Sequence, residues 1–434
     1  MIFLTDLIVD QTASLSGAVP APSSKSVTHR VLIAAALSEG RSRIYMPLIC
    51  DDTLATVNAC RLIGAKMEQT GKETFEVLGQ PKPKAPVDII DCRDSGSTMR
   101  FLTPICALAD GISVLAGGES LRKRPMEPVL EALRQLGVRC HSAKNDGYPP
   151  IVVSGGGIRG GEVCMRGDVS SQFISGLLFA LPLARADSDI VLLSLLESKP
   201  YVDITLNVLE RYGVEIQARQ DYSRFHVPSQ QRYDPCDHVV EGDYSAAAFL
   251  LAAAAATNSR LSVENLRRDS LQGDRVIVDL LERMGVKTRT EKDSVEVQGL
   301  SCRLNTLDID LRDNPDLVPA CAVLACLARG KSVIRGTRRL QFKESDRVAT
   351  LVAELTKMGA NMRAPDDVLE VIGVEKLKGA ELDSHRDHRV GMACAIAALM
   401  AEGSSVVHGV ECINKSYPDF IRDLVAIGGR VVER

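Results

Sequence analysis

The chain has 434 residues, 45% of them apolar and 4% aromatic, with 52 basic against 56 acidic side chains and a formal net charge of −4. There is no basic surplus to neutralise phosphates and there are few rings on which bases could stack, so nucleic acid is excluded as the expected partner. The longest apolar run, Ala246–Ala256, is too short to cross a bilayer.

In chain order the sequence opens on a strand at Phe3–Val9 and then repeats one unit six times. The first unit has an apolar helix at Ser24–Ser38, a strand at Arg43–Met46 and an amphipathic helix stopping at Leu62-Ile63-Gly64. The second has Ser95–Ala109, Ile112–Leu115 and a stop at Leu136-Gly137. The third has Ser170–Ala184, Ile190–Leu193 and Tyr212-Gly213. The fourth has Tyr244–Ala256, Leu261–Val263, Met284-Gly285 and a hairpin over Val286–Val297. The fifth has Pro315–Ala328, Ser332–Ile334 and Met358-Gly359. The sixth has His388–Ala401, Ser405–Val407 and Ile427-Gly428. The stop glycines recur every 69 to 76 residues, the mark of one supersecondary unit reused. The apolar helices lack a polar face and must be buried all round.

The predicted fold is α+β: two domains, each of three strand-helix-strand-helix-hairpin units with buried parallel helices, an inside-out α/β barrel type. The domains are expected at 15–237 and at 1–14 with 238–434. The last repeat reaches Arg434 without a hairpin, so the N-terminal strand should complete the second domain. None of the twelve cysteines forms a C-x-x-C pair, and several lie in the buried helices. Reduced core thiols in a cytoplasmic protein without a leader pattern are therefore expected. Gly155-Gly156-Gly157 reads as a bare loop, and no phosphate-binding glycine motif is present.

Cations stand where helix dipoles disfavour them. Lys25 and Arg30 open the first apolar helix, Arg100 lies one turn into the second, and His388-Arg389 open the sixth. Arg122-Lys123-Arg124, Lys199, Lys343 with Arg347, and Lys415 precede or open amphipathic helices. Helix N-termini with added cations make sites for a small polyanion, such as a phosphate with a carboxylate. Hydroxyl runs at Ser23-Ser24-Lys25-Ser26, Ser95-Gly96-Ser97-Thr98 and Ser170-Ser171-Gln172 exceed what capping needs. Asp316 and Glu344 lie among the cations, as plain ion pairs or as proton carriers.

These residues stand in motifs: Pro22-Ser23-Ser24-Lys25-Ser26 with Arg30, Asp94-Ser95-Gly96-Ser97-Thr98-Met99-Arg100, Lys123-Arg124-Pro125-Met126, Asp168-Val169-Ser170-Ser171-Gln172, Lys199-Pro200-Tyr201, Lys343-Glu344-Ser345-Asp346-Arg347, Asp387-His388-Arg389 and Lys415-Ser416-Tyr417-Pro418. In that order they resemble the 5-enolpyruvylshikimate-3-phosphate synthase family, the 3-phosphoshikimate 1-carboxyvinyltransferases of aromatic amino-acid synthesis. The resemblance runs from about Pro20 to the C-terminus. It implies transfer of the enolpyruvyl group of phosphoenolpyruvate to the 5-hydroxyl of shikimate 3-phosphate by addition and elimination. Shikimate 3-phosphate is implied at Lys25, Ser26, Arg30, Ser170, Ser171, Gln172, Tyr201, Asp316 and Lys343. Phosphoenolpyruvate is implied at Lys25, Gly96, Arg124, Gln172, Arg347, Arg389 and Lys415. Asp316, Glu344, Lys25 and His388 form the implied catalytic set. Asp316 takes the hydroxyl proton, and Glu344 or Lys25 serves the methylene carbon. The resemblance implies no metal and no organic cofactor, a monomer, and glyphosate as a competitor for the phosphoenolpyruvate subsite.

Asp94, Ser97 and Phe101 depart from the family's usual Asn, Thr, and Pro or Leu. They bear on pocket shape and inhibitor response. The sister carboxyvinyltransferase acting on UDP-N-acetylglucosamine carries a reactive Cys in a loop that here reads Ala116–Arg122 and has none. A non-catalytic polyanion-binding repeat protein is the other alternative, and it has no need of carboxylates among its cations.

Overall fold

The structure, a computed structural model, describes residues 5–71, 73–299 and 303–434. They form two compact units: Ser24–Val240, and the residues up to Ser23 together with Glu241–Arg434. The Ser24–Val240 unit holds helices α1 (Lys25–Leu37), α2 (Asp51–Leu62), α3 (Gly96–Cys106), α4 (Glu127–Gln135), α5 (Ser171–Ala180) and α6 (Lys199–Arg211). The other unit holds α7 (Tyr244–Ala256), α8 (Ile277–Arg283), α9 (Val318–Cys326), α10 (Arg347–Lys357), α11 (His388–Leu399) and α12 (Phe420–Ala426).

Odd-numbered helices are the apolar ones. Every residue of α11 is buried, as is α7 from Tyr244 through Ala255. Alanine gives α7 the strongest helix propensity and lets α7, α9 and α11 pack against one another. Even-numbered helices bury one face, as α4 does with Val129, Leu130, Ala132 and Leu133. Gly64, Gly137, Gly213, Gly285, Gly359 and Gly428 all have φ between 77° and 110°. That left-handed conformation ends a helix with little strain only when no Cβ is present. Two apolar helices differ from expectation at an end. The third passes into a 3-10 turn at Leu181–Leu183, because Pro182 cannot continue the hydrogen-bond ladder. The fifth begins as a 3-10 turn, Pro315–Leu317.

The described residues form six four-stranded sheets. In each, the strand after the apolar helix lies beside a leading strand that runs parallel to it. Ile90–Asp91 leads Ile112–Ala116 in this way, and Asp308–Asp310 leads Lys331–Arg335. This rule corrects the expected boundaries. Ser16–Pro20 pairs in parallel with Arg260–Glu264, so the chain up to Ser23 belongs with the later unit and not from residue 15 with the earlier one. His238–Val239 pairs in parallel with Ile44-Tyr45, which carries the earlier unit to Val240 instead of 237. Leu7–Asp10 pairs antiparallel with both Ser404–His408 and Val431–Glu433, completing the sixth sheet. The strand was expected at Phe3–Val9, of which residues 3 and 4 lie outside the described ones. No helix among the described residues is long and apolar enough to cross a membrane.

Candidate active site

In the Ser24–Val240 unit the starts of α1, α3, α5 and α6 are tied together by polar side chains. Ser24, Ser95 and Ser170 each cap a helix, accepting from Val27, Thr98 and Gln172 backbone N–H groups. One hydroxyl of each run is thus spent on capping, which leaves Ser26, Ser97 and Ser171 for other partners. Lys25 Nζ lies 3.0 Å from Asp52 Oδ2, a carboxylate on the first turn of α2. Arg30 is buried. It donates to Thr205 Oγ1 at 2.7 Å, to the Ser26 carbonyl at 2.8 Å and to the Tyr201 carbonyl at 2.9 Å, and lies over the Phe101 ring at 5.1 Å. Burial lowers its pKa to about 10, and it stays charged. Arg30 therefore fixes the first turn of α6, with Tyr201, against the first turn of α1, with Ser26.

Gly96, Arg100, Arg124 and Gln172 meet in the same unit. Gln172 accepts from Arg100 at 2.8 Å and donates to Ser97 Oγ at 2.8 Å. A Cβ built on Gly96 would lie 3.3 Å from Arg124 Nη1, 3.6 Å from Arg100 Nη1 and 3.7 Å from Gln172 Oε1. Asp94 accepts from the Leu121 N–H at 3.3 Å and so holds the 3-10 turn Leu121–Lys123 that leads to Arg124. Phe101 points the other way, packing its ring 5.7 Å from that of Phe179. Beneath this surface a buried relay runs from His29 Nδ1 to Thr56 at 2.7 Å, to Thr98 at 2.7 Å and to Ser95 at 2.7 Å. Burial pushes the His29 pKa down to about 3, so the imidazole is neutral.

In the other unit the cluster is built on Arg347, at the first position of α10. Its guanidinium lies 2.8 Å from Asp316, 2.5 Å from Glu344 and 2.8 Å from Asp387. Asp316 also faces Lys343 at 3.4 Å and Arg389 at 3.3 Å. Asp387 caps α11 and accepts from the Arg389 N–H at 3.0 Å. Burial works against the Asp316 carboxylate, yet Arg389, Lys343 and Arg347 hold its pKa well below the usual range. Burial lowers Lys343 to about 8 against the opposing field of Asp316. His388 is buried at the start of α11, with a ring nitrogen within 4.8 Å of Glu344 and Asp387 oxygens. These three could hold an ion by geometry. Both carboxylates are taken by the Arg347 guanidinium, however, so the arrangement serves a fixed cation. Lys415 ends the 3-10 turn Val410–Lys415, which packs on α11.

Apart from Arg30, one turn further into α1, the expected residues therefore fall at helix starts and adjoining turns, divided between the two units. Several partners escaped the sequence reading. Arg100 reads in the sequence only as a misplaced cation, yet it holds Gln172. Asp387 stands in its motif without an evident role, yet it anchors Arg347. Asp52, the partner of Lys25, gave no local signal.

The family model for EPSP synthase (3-phosphoshikimate 1-carboxyvinyltransferase) matches residues 9–424. A 3-phosphoshikimate 1-carboxyvinyltransferase of Methanocaldococcus jannaschii is 43% identical over 426 residues, covering 98% of this chain and 99% of that protein. One from Methanothermobacter thermautotrophicus is 42% identical over 428 residues, with 98% and 99% covered. Among solved structures, an EPSP synthase of Acinetobacter baumannii superposes with a TM-score of 0.83 at 25% identity, covering 99% of this chain and 100% of that one. The enolpyruvyl transferase NikO of Streptomyces tendae shares the fold, with a TM-score of 0.81 at 20% identity and 99% of each chain covered.

Proposed function

The chain belongs to the EPSP synthase family, and from that premise we propose how its residues divide the work. The enzyme transfers the enolpyruvyl group of phosphoenolpyruvate to the 5-hydroxyl of shikimate 3-phosphate and releases phosphate. Ser26, Ser170, Ser171, Gln172, Tyr201 and Lys343 hold shikimate 3-phosphate, with Lys25 and Arg30 supporting them. Gly96, Arg124, Arg347, Arg389 and Lys415 hold phosphoenolpyruvate, with Lys25 and Gln172 beside it.

Asp316 takes the 5-hydroxyl proton as that oxygen bonds to C2 of phosphoenolpyruvate. Glu344 or Lys25 delivers a proton to the methylene carbon, giving a tetrahedral adduct. Loss of phosphate and of one methyl proton then restores the double bond. His388 lies beside Glu344 and helps set its proton balance. The observation that carries this reading is the Asp316 carboxylate ringed by Lys343, Arg347 and Arg389, with Glu344 on the same guanidinium. Such fixed charge suits a path in which phosphate and carboxylate charges are redistributed. Three cations also weaken Asp316 as a base. A ligand anion that draws them away returns basicity to it, which couples substrate binding to proton removal.

The reading also takes the protein to be a cytoplasmic monomer. Sedimentation tests the oligomeric state. Phosphate release from phosphoenolpyruvate with shikimate 3-phosphate tests the activity, with UDP-N-acetylglucosamine as the control acceptor. Turnover with the UDP-sugar and none with shikimate 3-phosphate overturns the reading.

A further inference from the structure

Asp274 belongs to none of the assigned residues, yet it is a carboxyl only 2% exposed within the unit that carries Asp316. It sits on the 3-10 turn Gly273–Val276. Gln272, just before it, pins this turn to the start of α7: its side chain donates to the Gly242 carbonyl at 2.7 Å and accepts from the Tyr244 N–H at 3.0 Å. Asp274 Oδ1 accepts from Asn314 Nδ2 at 3.3 Å. Asn314 in turn opens the 3-10 turn Pro315–Leu317, where its carbonyl accepts from the Leu317 N–H at 3.0 Å. Asp316 is the middle residue of that turn, so a side-chain bond links Asp274 to the backbone that aims Asp316.

The charge around Asp274 comes from several elements. Asp243 and Ser245 face it from the start of α7, Asp316 from its turn, Cys321 from α9 and Arg389 from α11. Burial first, and then the Asp316 charge, push its pKa up to about 6; the Ser245 hydroxyl and Arg389 oppose them. The two carboxyls, each in the other's field, thus have their proton affinities driven apart, a pattern that accompanies acid–base work.

We propose that Asp274 is a positioning residue for the Asp316 base, holding the Asn314–Leu317 turn through its hydrogen bond and facing the Asp316 carboxylate with a negative charge of its own. The proposal rests on Asp316 taking the hydroxyl proton. An ionised Asp274 makes protonation of Asp316 more favourable and so makes Asp316 a stronger base. A protonated Asp274 leaves Asp316 to its three cations and weakens it. The turnover number therefore rises as pH rises through Asp274's titration.

The test measures kcat and KM from pH 5 to 9 for the full-length enzyme and four variants: Asp274→Asn, Asp274→Glu, Asn314→Ala and Asp316→Asn. Wild type should show a rise in kcat near pH 6. Asp274→Asn should lose that rise and run about three- to tenfold slower at pH 8, with KM for both substrates within about twofold. Asp274→Glu and Asn314→Ala both keep a titrating carboxyl and should keep the rise, Asn314→Ala at a kcat lowered about threefold or more because the turn loses its hydrogen bond to Asp274; an Asn314→Ala with wild-type kcat overturns the positioning role. A retained rise in Asp274→Asn, or a flat profile in Asp274→Glu, overturns the proposal. If Asp274→Asn does not fold, Asp274→Glu decides by the midpoint of its rise, which should move from the wild-type value as the carboxyl is displaced; an unmoved midpoint overturns the proposal. Asp316→Asn separates the two levels. Wild-type turnover there overturns Asp316 as the base. A dead Asp316→Asn beside an unchanged Asp274→Asn overturns only the role given to Asp274.

Discussion

The Asp316 carboxylate lies 2.8 Å from a guanidinium nitrogen of Arg347, and that same guanidinium spans Glu344 and Asp387 through its other nitrogens. One buried cation therefore sets the position of both carboxylates proposed as proton carriers. Arginine suits this because its planar fork presents donors in several fixed directions, which an ammonium cannot do.

We predict that Arg347→Gln destabilises the protein as well as inactivating it. Removing one partner of a buried ion cluster leaves uncompensated charge, a cost of about 3–5 kcal/mol. At this size the thermal midpoint should fall by roughly 5 °C or more at pH 7. The sign with pH follows from Asp316, whose pKa is depressed in the folded state. Its stabilising contribution is complete above the ordinary carboxylate pKa and disappears only as pH falls through the depressed one. The gap between variant and wild type should thus hold across neutral pH and shrink in strong acid. Equal midpoints at pH 7 would show that the cluster does not bear on stability.

Asp316→Asn and Glu344→Gln preserve shape while removing a proton acceptor or carrier. Each should lower kcat by roughly 10²-fold or more, with smaller effects on substrate KM. Both positions pair with Arg347, so circular dichroism melts must accompany the kinetics to separate lost chemistry from lost packing. A folded variant turning over near the wild-type rate removes that residue from the catalytic set.

How much of this was legible beforehand follows from what each feature depends on. Gly64 and its five counterparts were readable because a left-handed helix stop needs glycine whatever lies around it. The start of the N-terminal strand's pairing was readable because the sixth repeat lacked a partner. A leading strand in each unit follows from the repeat, but its place does not. Ser16–Pro20 buries only Val19, and His238–Val239 has two residues, so neither offers a period. The run Lys343–Arg347 announced itself by its unusual charges. Asp52 and Asp274 did not, since their meaning comes from partners 27 and 40 residues distant. The direction of Phe101, away from Gly96 and beneath Arg30, also needed the packing.

Lys343 gives a prediction in alkali. Its pKa is lowered by burial to about 8, so the free enzyme loses this ammonium as pH rises through that value. If Lys343 binds shikimate 3-phosphate, KM for that substrate should climb between about pH 8 and 9.5 while KM for phosphoenolpyruvate changes less. Lys343→Arg keeps its charge and should flatten the climb. For stability the sign is opposite to that of a paired lysine. The folded state binds fewer protons than the unfolded one between about 8 and 10.5, so this group favours folding increasingly across that window. A flat KM from pH 7 to 9.5 in wild type would take Lys343 out of the binding set.

The last prediction concerns glyphosate. Gly96 is not among the positive-φ glycines, so its backbone tolerates alanine and Gly96→Ala should fold normally. The added Cβ would stand 3.3 Å from Arg124 Nη1, close enough that the guanidinium must give way by a few tenths of an ångström. Gln172, held by Ser97 and Arg100, closes the other side and has little freedom to retreat. An inhibitor longer than phosphoenolpyruvate loses more from that intrusion than the substrate does. One methyl group in a tight pocket is worth about 10- to 200-fold in discrimination, so Ki for glyphosate should rise by at least about tenfold more than KM for phosphoenolpyruvate. The Phe101 ring is buried beneath Arg30 and against Phe179, and is therefore not expected to narrow the space beside Gly96. Wild type should therefore be inhibited competitively against phosphoenolpyruvate at saturating shikimate 3-phosphate. Phe101→Leu tests the same point independently and should leave Ki within about threefold. A wild-type enzyme indifferent to glyphosate, with sensitivity restored by Phe101→Leu, would mean that the ring shapes the first turn of α3 after all.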